Sequence, residues 1–130
     1  MVIDKRGLLY VSDYWNHRIQ VFTVADGAFR FTLVGDGKPG RGAGQLNFPT
    51  GLSLDESRDC LYITEFGSKR VQVVSTVPDI AGSLRGMVGG PGKGEGELSD
   101  PTAVAIDSKN ALFYVTDFAQ HRLHCWTALQ

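Results

Sequence analysis

Helical periodicity is almost absent from this chain. No apolar pattern of that period runs the length of an ordinary helix between capping residues, so little or no helix is expected. Long apolar runs are missing too, which excludes a membrane-spanning helix. The opening MVIDKRGLLYVSD lacks the basic segment and apolar stretch of a signal peptide. Charge of one sign is not in excess: the net charge is −1, so no whole-molecule attraction to nucleic acid or anionic lipid is indicated. Cysteine is scarce. Cys60 and Cys125 form no CxxC pair, which removes the signature of zinc or thiol-redox chemistry. Each lies in an apolar, strand-like run, and both are expected to be buried free thiols. These features favour a reducing, cytosolic compartment and exclude membrane insertion. Catalytic signatures are also missing. There is no GxSxG and no GxxxxGK[ST]. His124 and Cys125 are adjacent on a strand and point to opposite faces, so they cannot act as a pair.

Glycine is what the chain has in quantity: 16 of 130 residues, clustered in 35–44 and 82–96. Glycine at this level implies many turns with unusual backbone angles, and hence an all-β fold of short strands.

The main signal is repetition. YVSDYWNHRIQV (Tyr10–Val21), YITEFGSKRVQV (Tyr62–Val73) and YVTDFAQHRLHC (Tyr114–Cys125) align without gaps at one spacing of 52 residues. The shared order is Tyr, β-branched, Ser/Thr, acid, aromatic, three variable residues, Arg, aliphatic, polar, small apolar. A second element, FPTGLSLDESRDCLYIT, recurs as DPTAVAIDSKNALFYVT at the same spacing, and VIDKRGLLYVS carries its end. Gly-rich segments, Val34–Pro49 and Val88–Pro101, separate the repeats. Each repeat therefore reads as four short antiparallel strands, a to d. Strand a is GLSLD or AVAID, strand b CLYIT or LFYVT, strand c RIQVF, RVQVV or RLHCW, and strand d FRFTLV or SLRGMV. Sheets of this kind, repeated at this period, match the blades of a β-propeller, whose faces are buried only by stacking.

The residues resemble the NHL repeat. Pro49-Thr50-Gly51, Tyr62-Ile63-Thr64-Glu65 and Arg70-Val71-Gln72-Val73 carry the likeness in the middle repeat, and Asn16 to Phe22 (NHRIQVF) carry it in the first. The departures are Glu65 for the usual Asp, Thr102-Ala103 where a glycine is usual after the proline, and a less regular strand c at His124-Cys125-Trp126. The resemblance implies a single NHL-repeat domain over 1–130, an arc of roughly three four-stranded blades with incomplete terminal blades. The repeats fall at about 1–48, 49–100 and 101–130. NHL propellers are typically six-bladed rings, so this arc is expected either to be part of a larger ring or to self-associate through its exposed end blades.

Three acid–arginine pairs, Asp13/Arg18, Glu65/Arg70 and Asp117/Arg122, flank the b–c loops. Recurring in every blade, they are expected to close the loop mouths as a structural device. The aromatics Tyr14, Phe66 and Phe118 follow the acids, with Trp15 beside Tyr14. In a propeller the b–c loops and d–a linkers share one face. That face would collect Tyr14, Trp15, Asn16, His17, Phe66, Lys69, Phe118 and His121 from the loops, and Lys38, Arg41 and Lys93 from the linkers. Asn16 and His17 are expected to be exposed, and the position shared by His17, Lys69 and His121 to be a tolerant surface site. The linkers are expected to be flexible. No metal ligand set converges, and no cofactor is expected. The expected function is a non-catalytic scaffold that binds a protein or peptide on this face. Two alternatives stand beside it: an RNA-binding module of a ubiquitin-ligase-like regulator, and part of a metal-dependent propeller lyase or hydrolase.

Overall fold

The computed structural model describes residues 1–128. The described residues form three antiparallel sheets. The first holds β1 (Val2–Ile3), β2 (Leu8–Asp13), β3 (Arg18–Thr23) and β4 (Phe29–Val34). The second holds β5 (Pro49–Asp55), β6 (Cys60–Glu65), β7 (Arg70–Ser75) and β8 (Leu84–Gly89). The third holds β9 (Pro101–Asp107), β10 (Leu112–Asp117) and β11 (Arg122–Thr127). Within each sheet the strands neighbour one another in chain order, as in propeller blades. Among the described residues helix is confined to two short 3₁₀ turns, Tyr14–Asn16 and Pro78–Ile80.

Period-two patterning explains the strands and also their stacking. Successive side chains on a strand point to opposite faces. In blade 1, Tyr10, Ile19 and Val21 face blade 2, where Leu52, Leu61, Ile63 and Val74 meet them in one buried cluster. Cys60, Tyr62, Val71 and Val73 leave the other side of blade 2 and meet Val104, Phe113 and Val115 of blade 3 in a second cluster. The Tyr62 and Phe113 rings lie 4.8 Å apart at a tilt, and Phe113 stacks on Trp126 at 5.4 Å. Such ring pairs contribute roughly 0.5–1.5 kcal/mol beyond the area they bury.

Every residue of β6 and β7 is buried, because the middle blade is covered on both faces. The terminal blades are covered on one face only, and Ile3, Phe29 and Leu123 are exposed. This corrects one expectation. Cys60 is buried, and burial first, with the Asp55 charge second, pushes its thiol up to about 11. Cys125 is exposed. It lies on the outer face of the last blade, where no further sheet covers it.

The Gly-rich linkers are pinned, although a flexible connection is expected from their composition. Leu46 and Leu98 are fully buried. They form parallel bridges with Pro39 and Pro91, which fold each linker back on itself. Gly35 (φ +98) is required where the chain leaves β4, since a Cβ there would overlap the His17 carbonyl oxygen.

Candidate binding face of the loops and linkers

Each b–c loop joins two paired strands through a tight turn whose last residue is left-handed: His17 (φ 50), Lys69 (φ 58) and His121 (φ 53). The backbone sets this position, which accounts for the range of residue types found at it. The side chains then go separate ways. His121 is exposed and Lys69 half-buried, but His17 is only 6% exposed. The expectation of an exposed His17 is thereby corrected. Its Nδ1 accepts the backbone N–H of Phe48 at 3.0 Å, and its ring packs edge-on against the Phe48 ring at 4.5 Å.

The linkers run along the same face as the loops. Backbone N–H groups of Phe66 and Gly67 donate to the carbonyls of Phe48 and Asn47, and Phe118 N–H donates to Asp100. The acids at the ends of the b strands complete this seam. Glu65 Oε1 accepts the Asn47 N–H at 3.0 Å, while Asp117 accepts the Ser99 and Asp100 N–H groups at 2.9 and 3.0 Å. Each of these two acids thus holds the linker that precedes its own blade. Burial alone would raise the Asp117 carboxyl. The backbone donors of Ser99, Asp100 and Gln120, with His124, outweigh it and hold the group below the usual aspartate range.

The acid–arginine pairs divide two to one. Arg18 Nε lies 2.9 Å from Asp13, and Arg70 Nε lies 2.7 Å from Glu65 in a buried pair. Burial would raise Asp13, but Arg18 and Asn16 hold its carboxyl down. Arg70 also donates to the carbonyls of Arg41 (2.8 Å) and Gln45 (3.2 Å), so it ties loop, strand and linker together. Asp117 and Arg122 do not pair. The carboxylate is taken by backbone donors, and Arg122 donates to the Lys93 carbonyl at 2.8 Å. The polar residue two places after each arginine faces the acid: Gln72 Nε2 donates to Glu65 at 3.1 Å, and His124 Nε2 lies 3.5 Å from Asp117 without a hydrogen bond.

The aromatics do not form one continuous platform. Around the first loop, the Tyr14, Trp15 and Phe48 rings meet at centroid distances of 4.7 to 5.7 Å, with His17 beneath. Trp15 remains 78% exposed on top of this cluster, next to exposed Asn16. In the second loop Lys69 Nζ sits 4.0 Å from the Phe66 ring centre, so the chain covers that ring itself. In the third, Phe118 is 71% exposed, and no ring among the described residues packs against it. The side chains of Lys38, Arg41 and Lys93 are exposed on the linkers. Phe48 belongs to this site and was not among the residues expected there. The sequence offered one signal, an aromatic in a linker where the next repeat has Asp100.

A family model described as NHL repeat matches residues 1–22. The chain is thus similar to NHL-repeat β-propellers. A chicken (Gallus gallus) relative, NHL repeat-containing protein 2, is 24% identical over 131 residues. That match takes in 88% of this chain and 18% of the relative, so this chain spans under a fifth of that protein's length. A chain in the crystal structure of a nidogen/laminin complex superposes with a TM-score of 0.70 at 25% identity, over 97% of this chain and 41% of the other. A β-propeller domain from Myceliophteria thermophila superposes at 0.64 with 10% identity, over 98% of this chain and 39% of that one, which speaks for the fold alone. Among the described residues, no group of three or more His, Cys, Asp or Glu is placed to hold a metal ion. No helix among them is long and apolar enough to cross a membrane.

Proposed function

We propose that the chain is a non-catalytic scaffold that binds a protein or peptide segment on the face of b–c loops and linkers, with Trp15 as its anchor. One observation carries this reading: an indole 78% exposed yet held on two sides by the Tyr14 and Phe48 rings. A large apolar side chain fixed in the open has already lost much of its rotamer freedom, so a partner that covers it loses little more entropy. Tryptophan and tyrosine are also the residues that most often dominate binding energy. The likeness to a chain crystallised in a nidogen/laminin complex supports a protein partner. RNA is the weaker alternative. The chain is nearly neutral, and its linker cations are few, with Lys38 and Arg41 on the first linker and Lys93 on the second.

Selection from a displayed random-peptide library tests the reading. Peptides retained by the native chain are expected to lose about 2 kcal/mol of affinity to Trp15→Ala, the size of a typical hot-spot truncation. Thermal stability should not change, because Trp15 is outside the core. Peptides that bind Trp15→Ala equally well would overturn the assignment. So would a chain that retains no peptide yet binds poly(U) with a steep salt dependence.

A further inference from the structure

Strand d of each four-stranded blade carries one bulge. In blade 1 Val21 pairs with Phe31 and Phe22 with Phe29, which leaves Arg30 as the extra residue. In blade 2 Val73 pairs with Gly86 and Val74 with Leu84, which leaves Arg85. A bulge re-aims the side chain it carries. Adjacent Arg30 and Phe31 thus both line one cleft of about 320 Å³ between blades 1 and 2, although neighbours on a regular strand face opposite ways. One wall is Leu8, Phe31 and Leu33 of blade 1; the other is Pro78 and Ala81, in the loop after β7 of blade 2. Gly82 (φ +86) seats that loop, since a Cβ there would overlap the Leu33 carbonyl oxygen. The cleft lies at the end of the strands opposite the b–c loops.

The cleft is apolar with one uncompensated positive charge. Arg6 and Arg30 line it, and no carboxylate does, that of Asp79 in the same loop included. Arg6 is neutralised by Asp4 at 2.9 Å and donates to the Tyr10 hydroxyl at 3.0 Å. Arg85, the counterpart of Arg30, donates to the Arg58 carbonyl at 3.3 Å. Arg30 makes no side-chain hydrogen bond or ion pair with the described residues. We propose that this cleft binds a small carboxylic acid with an apolar body, as its monoanion, the body between Phe31 and Pro78 and the carboxylate on Arg30. A guanidinium matches a carboxylate with two parallel charge-assisted hydrogen bonds. The volume stands at the lower end of small-molecule sites, which fits a free acid rather than a length of peptide. The proposal is independent of Trp15 and of the loop face.

The test titrates 2-naphthoate into the 130-residue chain and follows the backbone amides by two-dimensional NMR. Amides of Phe31, Leu33 and Ala81 are expected to shift with a Kd below about 1 mM, within reach of a ligand of this size, while Trp15 does not respond. 2-Naphthamide, of the same shape without the charge, should bind about tenfold more weakly. Arg30→Ala should lose about the same tenfold for 2-naphthoate and nothing for 2-naphthamide. Arg30 is exposed, so the thermal midpoint of this variant should match that of the native chain. Phe31→Ala should weaken both probes. The proposal is overturned by an unresponsive cleft, by equal affinity for acid and amide, or by an Arg30→Ala chain that binds 2-naphthoate as the native one does. Tighter binding of N-acetyl-Gly-Gly-Phe than of 2-naphthoate would assign the cleft to the end of a peptide and overturn it as well.

Discussion

The backbone N–H of Phe48 donates to His17 Nδ1 at 3.0 Å, joining the first linker to the first b–c loop across 31 residues of sequence. This bond places the Phe48 ring beside Tyr14 and Trp15. His17→Ala should therefore leave a buried donor without a partner, at a cost of about 1–3 kcal/mol. Amide exchange at Phe48 should accelerate more than exchange in β6. Peptide binding should weaken although His17 itself is too deep to touch a ligand. An unchanged Phe48 exchange rate would show that the linker is held by other bonds.

The unequal acid–arginine pairs make a second prediction. Glu65→Ala strands the buried Arg70 guanidinium and should lower stability by about 3–5 kcal/mol in denaturant titration. Arg122→Ala should stay within about 0.5 kcal/mol of the native chain, since that side chain is exposed and only donates to linker carbonyls. Equal losses at the two sites would contradict the geometry.

How much of this was legible in the sequence follows from the same residues. The strands and their order could be read because alternation, turn residues and the 52-residue spacing all agree, and strand d at FRFTLV falls on β4 (Phe29–Val34). The divergence of the acid–arginine pairs could not be read. Glu65 is one methylene longer than Asp117. It reaches one linker N–H and keeps an oxygen for Arg70, whereas the shorter aspartate is drawn fully into backbone donors. His17 was misplaced because aligned loop positions share a backbone conformation, not a side-chain environment. Cys125 was misplaced because its strand has the pattern of a buried one, while the sheet that would bury it is not among the three.

Alkaline pH supplies a third prediction. The Tyr10 hydroxyl donates to Asp4 and accepts from Arg6, each at 3.0 Å. Burial first, and then the Asp4 charge, push it up to about 12. The folded state therefore resists losing a proton that the unfolded chain gives up near its ordinary value of 10.0. Tyr10 contributes its full stability below that value, and the contribution declines as pH rises toward the folded value. Tyr10→Phe should be less stable at neutral pH by about 1–2 kcal/mol, having lost a buried hydrogen bond. Its stability should also fall less steeply between these two pH values than that of the native chain.

Acid acts through the opposite sign. Asp4, Asp55 and Asp117 all lie below the usual aspartate range, because hydrogen bonds and arginine or histidine neighbours outweigh the burial that would raise them. A carboxylate so depressed stabilises the fold above the unfolded-state value, and the contribution is lost as pH falls through the folded value. Asp117→Asn should flatten this acid limb. An acid limb identical to that of the native chain would mean that the linker does not depend on the charge.

Native-state hydrogen exchange of the backbone amides tests the stacked-blade account most directly. Amides of β6 (Cys60–Glu65) and β7 (Arg70–Ser75), covered by sheets on both sides, should open only with global unfolding and be the slowest in the chain. Those of β4 (Phe29–Val34) and β11 (Arg122–Thr127) should exchange through smaller openings. Protection spread evenly over the three sheets, or weakest in the middle one, would contradict the account.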